Sequence, residues 1–149
     1  MRKQNLMLYP PEIASNFVAE QEGFEAMAYR CPAGVWTIGF GHTGDVHEGD
    51  IVNKGEAYKL LDRDLQRTQE ELATLIHIDI NENQFVALMS FVYNFGLTKC
   101  RTYRLFGMIN RGEWENVRTW WPKYCNPGSK YEKGLRGRRM RELELFFRS

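Results

Sequence analysis

Three side chains in the first quarter of the chain have types and spacing that suit catalysis. They are Glu22, Cys31 and Thr37, with eight residues between the first two and five between the last two. A carboxylic acid whose pKa is raised by burial can supply a proton near neutral pH, which is what the leaving oxygen of a glycosidic bond requires. Glu22 is the candidate for that role. Thr37 alone is an ordinary β-branched strand residue, and an isolated cysteine such as Cys31 is more often a buried free thiol. Their interest comes from the elements that surround them.

Pro10-Pro11 interrupts the N-terminal arm, and Ile13, Ala14, Phe17 and Val18 then recur at helical spacing, so a short amphipathic helix over 12–21 is expected to end at Gly23. Glu22 falls at its end. Residues 28–52 change character: glycines at 34, 39, 41, 44 and 49 punctuate Val35-Trp36-Thr37-Ile38, which predicts a small antiparallel sheet. Cys31 stands where that sheet begins and Thr37 within one of its strands. From Asn53, an expected N-cap, apolar residues at threes and fours describe one long helix to about residue 76. Asn81 with Gln84 opens a second helix as an asparagine capping box, and its run through Tyr93 is apolar almost all round, the signature of a buried central helix. Further helical patterns lie at 102–110, 113–123 and 131–147. The expected fold class is α+β: a sheet lobe over about 12–52, a connecting helix over 53–76 and a helical lobe over 77–149. These form one domain over 1–149, with a cleft between the lobes.

Composition sets outer limits. With 43% hydrophobic and 26% charged residues in 149, the chain is a globular protein with a sizeable core and not a disordered or low-complexity segment. The formal net charge of +1 conceals an asymmetry. Residues 1–75 hold 7 basic and 12 acidic residues, whereas 76–149 hold 13 and 7, so the C-terminal half is basic and suits an anionic partner. Cys31, Cys100 and Cys125 are odd in number and irregular in spacing, which indicates neither a disulfide framework nor a zinc site, and Cys100 and Cys125 read as buried thiols. The N-terminus has two basic residues but only a four-residue apolar run before its prolines, so neither a secretory signal nor a membrane span is expected.

The motif Glu22-x8-Cys31-x5-Thr37, followed by Gly39-Phe40-Gly41-His42, resembles that of the phage-type lysozymes of glycoside hydrolase family 24, the T-even phage lysozyme group. Their pattern is Glu, eight residues, Asp or Cys, five residues, Thr, then a Gly-x-Gly-His turn. The likeness extends through Leu60-Leu61-Asp62-Arg63-Asp64-Leu65, Gln84-Phe85-Val86-Ala87-Leu88, Tyr93-Asn94-Phe95-Gly96 and the tail Gly134-Leu135-Arg136-Gly137-Arg138-Arg139 with Glu142, about residues 12–147 in all.

The resemblance implies a muramidase that needs no cofactor and no metal. Its partner would be bacterial peptidoglycan, without nucleic acid or membrane span, and a monomer is expected. It implies that Glu22 is the general acid, that Thr37 positions the attacking water, and that Cys31 occupies a position where many members carry Asp. A thiol there could activate water or, as thiolate, attack the sugar directly. By the same resemblance Gly41 and His42 form the turn and His42 pairs with Asp64 on the long helix. Asn94 faces the substrate unless it simply caps its helix, and Arg138 holds the catalytic Glu, with Arg136 or Arg139 as its substitutes. The basic run could equally be a solvated helix face, and Trp114, Trp120, Trp121 and Tyr124 suit a core better than a sugar platform. Phage lysis through a holin-made lesion is the expected use, an exported antibacterial effector the alternative. A binding module without catalysis is a different class, but no zinc-finger or RNA-recognition signature supports a nucleic-acid partner.

Overall fold

Two asparagines start the helices that organise the molecule. In the computed structural model, which describes residues 5–148, Asn53 Oδ1 accepts from Glu56 N at 2.8 Å while Glu56 Oε1 accepts from Asn53 N at 3.1 Å. Asn81 and Gln84 repeat the reciprocal arrangement at 2.8 and 2.9 Å. Each box satisfies main-chain groups that a helix start leaves unpaired. The helices they open are α2 (Lys54–Leu75) and α3 (Glu82–Phe95). At ~1.5 Å per residue α2 is about 33 Å long and runs from the sheet into the helical lobe.

The elements preceding α2 are α1 (Ser15–Glu22), β1 (Glu25–Arg30), β2 (Trp36–Gly39) and β3 (His42–Thr43). A 3-10 turn over Pro11–Ala14 leads into α1, so the expected helix is split at its proline end. Gly23 stops α1 at φ 75°, a conformation that suits glycine, and the chain becomes extended at once. The sheet therefore begins at Glu25, three residues before its expected start. Its order is β1-β2-β3, antiparallel throughout, with Tyr29 opposite Thr37 and Ile38 opposite His42.

After α3 come α4 (Leu97–Cys100), α5 (Leu105–Asn110), α6 (Trp114–Trp120) and α7 (Glu132–Phe146). The helix expected over 102–110 begins only at Leu105. Thr102 Oγ1 instead donates to the carbonyl of Lys99 at 2.7 Å, a local bond that favours a turn. Pro122 likewise ends α6 and leaves a 3-10 turn over Trp121–Lys123.

The core lies around α3. Phe85, Leu88, Met89, Phe91 and Val92 are fully buried there, against Leu61, Leu65 and Leu72 of α2 and Phe146 of α7. Phe91 meets Phe106, Trp121 and Tyr124 edge-on, so Trp121 is core as expected, while Trp114 stays partly exposed. The N-terminal arm packs on this lobe. Leu6 is fully buried, Asn5 Nδ2 and Tyr9 Oη donate to the carbonyl of Ile80, and Gln69 Nε2 donates to the carbonyls of Leu6 and Tyr9 at 2.8 Å.

Because Asn53 caps the helix that links the two lobes, Asn53→Ala should lower unfolding stability by about 1 kcal/mol. In urea denaturation the midpoint is expected to fall with the slope unchanged. An unaltered midpoint would mean that the cap contributes nothing.

Candidate active site

The sharp exit from α1 at Gly23 leaves the Glu22 side chain at the edge of a cleft of about 550 Å³ between sheet and helices. Cys31, Thr37, Gly41 and Asn94 line the same cleft. The antiparallel register accounts for this convergence. Thr37 lies opposite Tyr29, two residues before Cys31, and the turn that joins the strands is closed by Cys31 N donating to Val35 O at 2.9 Å. Thr37 is buried and donates its hydroxyl proton to the same Val35 carbonyl at 2.9 Å. That leaves the lone pairs of Oγ1 as acceptors for a water in the cleft.

Glu22 is gripped from the far side of the molecule. Arg138 Nη1 on α7 donates to Glu22 Oε2, with Arg138 buried and the Glu22 side chain 17% exposed. The same guanidinium donates through Nη2 to the Ser90 carbonyl at 3.0 Å, and through Nε toward Ser90 Oγ and Glu142 Oε2 at 3.3 and 3.4 Å. The other Glu22 oxygen lies against Gly41. A Cβ placed there would come within 2.6 Å of Oε1, and φ is +80°, so glycine is required both by space and by backbone. Tyr93 Oη, beside it, donates to the Phe40 carbonyl at 2.6 Å and fixes the turn to α3.

His42 and Asp64 do meet, with Nδ1 2.7 Å from Oδ2, and Nε2 lies 3.1 Å from the Gly44 carbonyl. This pair ties β3 to α2 below the cleft. Asn94 lies inside α3, which Gly96 caps, so it is not a helix cap. Its Oδ1 is buried with no hydrogen-bond partner among the described residues. Arg138 is the arginine at Glu22. Arg136 pairs instead with Glu132 in solvent, and Arg139 is fully buried with Glu142 at 2.6 and 2.8 Å. The run Arg136 to Arg139 is thus not a uniformly solvated face.

Sequence reasoning gave Ser90 and Glu142 no role, and Arg139 only that of a substitute for Arg138. Glu142 accepts hydrogen bonds from Ser90 Oγ at 2.6 Å, Trp121 Nε1 at 3.2 Å and both arginines. A serine inside an apolar helix and an Arg-Arg-x-x-Glu spacing on one helix face were the available signals.

Two titrations matter for chemistry. For Cys31, burial works to raise the pKa, but hydrogen bonds from the main chain of Val35 and Ala33 outweigh it, leaving the thiol below its usual value. For Tyr93, burial followed by the neighbouring Glu22 charge pushes the phenol up, so it stays neutral as a donor. Cys100 is buried and pushed up to about 12.

A small antiparallel sheet and a helical lobe joined by a long helix, with a half-buried carboxyl facing a cleft between them, define a lysozyme-like glycoside hydrolase. The Phage lysozyme family profile matches residues 19–142. The chain belongs to the phage lysozyme family. It is 34% identical over 134 residues to an endolysin of Bacillus phage B103, covering 88% of this chain and 51% of that relative. An endolysin of Acyrthosiphon pisum secondary endosymbiont phage 1 is 31% identical over 133 residues, covering 87% of this chain and 91% of that one. Among solved structures, the muramidase domain of SpmX from Asticaccaulis excentricus superposes with a TM-score of 0.83 at 28% identity, over 92% of this chain and 96% of that domain. This chain therefore spans about half the length of the Bacillus phage relative and nearly all of the other two.

The lowered thiol of Cys31 in an open cleft should react with iodoacetamide well before the buried Cys100 and Cys125, its rate rising with pH through a midpoint below that of an ordinary thiol. Peptide mass spectrometry of briefly treated protein reads this out. Preferential labelling of Cys100 would contradict the assignment.

Proposed function

We propose that this chain is an endolysin muramidase that hydrolyses the β-1,4 bond between N-acetylmuramic acid and N-acetylglucosamine in bacterial peptidoglycan. The observation that carries the reading is Glu22, held by Arg138 at the edge of the cleft that Cys31 and Thr37 also line. Glu22 protonates the glycosidic oxygen as its bond to the anomeric carbon breaks. A water seated on Thr37 Oγ1 attacks that carbon from the other side and gives its proton to the Cys31 thiolate. The two proton transfers balance, and the product forms with inversion.

The depressed Cys31 pKa supports the base role, since a larger thiolate fraction is then present near neutral pH. Asn94 Oδ1, buried without a hydrogen-bond partner among the described residues, suits an N–H of the substrate, such as an acetamido group. The endolysin relatives support lysis as the biological use. We place the whole activity in one domain over 1–149 acting as a monomer without cofactor. Among the described residues no helix is long and apolar enough to cross a membrane, and we propose release to the wall through a holin-made lesion.

Turbidity of outer-membrane-permeabilised Gram-negative cells tests this. Glu22→Gln should lower the clearing rate by on the order of 10²-fold or more, the usual contribution of a positioned general acid. Equal clearing by both forms, or by neither, would sink the catalytic assignment. On a soluble oligosaccharide, NMR of the first-formed anomer should show the α form. A first-formed β anomer would instead make Cys31 the nucleophile of a retaining reaction.

A further inference from the structure

The cleft continues past Asn94 into a second groove of about 600 Å³. Pro32, Asn94, Asn126 and Leu135 line both, so the two cavities form one channel. The charge changes along it. Glu22, Asp64 and Glu71 line the cleft together with Arg67 and Lys99, whereas the groove is lined by Lys130, Arg138 and Arg141 and, among the described residues, by no acidic side chain. Part of the surplus positive charge of residues 76–149 is therefore gathered beside the proposed reacting groups.

Two of the three cations in the groove are not neutralised. Arg138 is held by Glu22 and Glu142. Arg141 Nε instead donates at 2.7 Å to Oε1 of Gln21, an uncharged amide, and Lys130 lies 5.2 Å from the centroid of the Tyr131 ring. Among the described residues neither makes an ion pair. The face of α7 beside them is bare. A Cβ added at Gly134 would meet nothing within 4 Å, and one added at Gly137 would stand 3.2 Å from Arg141 Nη1. Glycine weakens a helix interior relative to alanine, and here two of them leave room over which the guanidinium folds back along the helix. An exposed guanidinium and ammonium without counter-ions suit a carboxylate ligand. At the junction with the cleft, the unpartnered Asn94 Oδ1 suits an amide N–H.

Amides and carboxylates occur together in one part of peptidoglycan. Its sugars are uncharged once the lactyl group is joined to peptide, and the free carboxylates belong to the peptide stem that branches from the glycan. We infer that the groove takes this stem while the glycan lies in the cleft, and that Arg141 and Lys130 select stems with free carboxylates over stems in which those groups are amidated. The inference rests on the muramidase reading above. Arg141 is the stronger determinant of the two. With Nε on Gln21, its Nη1 and Nη2 remain to take both oxygens of a carboxylate, a geometry that the point charge of Lys130 does not offer.

The test compares kcat/KM at low ionic strength on two soluble glycan fragments that differ only in whether their stem carboxylates are free or amidated. The parent enzyme should favour the free form by roughly three- to fivefold, the scale of exposed charge contacts, and the preference should shrink as salt is added. Arg141→Gln should bring the ratio close to one by slowing cleavage of the free form alone. Gln21→Glu removes no cation but gives Arg141 a carboxylate of its own, and should collapse the ratio in the same way. Arg148→Gln, an equal loss of charge beyond the end of α7 where the arginine is already paired with Glu144, should leave the parent ratio in place. A parent ratio near one, a ratio that Arg141→Gln or Gln21→Glu leaves unchanged, or equal slowing of both fragments by Arg141→Gln overturns the inference. A parent enzyme that cleaves neither fragment would instead refute the muramidase reading on which it rests.

Discussion

The contact between Glu22 and Arg138 joins residues 116 apart in the chain, the end of α1 and the middle of α7. Much of the remaining structure is arranged around it. A guanidinium 6% exposed cannot be left with unmet donors, because removing it from water costs several kcal/mol unless its hydrogen bonds are restored. Arg138 restores them with Glu22, the Ser90 hydroxyl and carbonyl, and Glu142. Those partners come from three helices. Their relative placement is thus fixed by one side chain, and so is the direction of the carboxyl that faces the cleft.

The sheet lobe adjusts to the same carboxyl. Gly41 gives up a side chain so that Glu22 Oε1 can lie against the turn, and Tyr93 and the His42–Asp64 pair fasten that turn to α3 and α2. Each link joins the lobe that carries Cys31 and Thr37 to one of the helices α1, α2 and α3. The cleft is narrow in chemical terms for this reason. Its carboxyl is set from one side, and its thiol and hydroxyl are set from the other by a five-residue turn closed on Val35.

Several of these features were legible in the sequence because they are local. The Asn53 cap, the Asn81–Gln84 capping box, the glycine stop after Glu22 and the apolar periodicity of α2 and α3 depend on residues within a few positions of each other, and they appear where the patterns place them. The motif spacing carried Glu22, Cys31 and Thr37 to one cleft. What the sequence did not reveal is which charges are buried. Arg136, Arg138, Arg139 and Arg141 look alike in a row, but only Arg138 and Arg139 turn inward, against a serine and a tyrosine carbonyl contributed from 48 and 15 residues away. Likewise Asn94 reads as a helix end until Gly96 is seen to cap α3. The short strands moved at their boundaries because Gly23 extends the chain at once, a tertiary outcome that periodicity in so brief a segment does not specify.

The central claim is that Arg138 holds Glu22, the proposed general acid, in position for the proposed reaction. Steady-state kinetics of Arg138→Met, measured on enzyme that retains a cooperative thermal transition, test it most directly. The account predicts that kcat falls by on the order of 10²-fold with KM little changed, since a catalytic group displaced by about 1 Å loses that much. A kcat equal to that of the parent enzyme would contradict it.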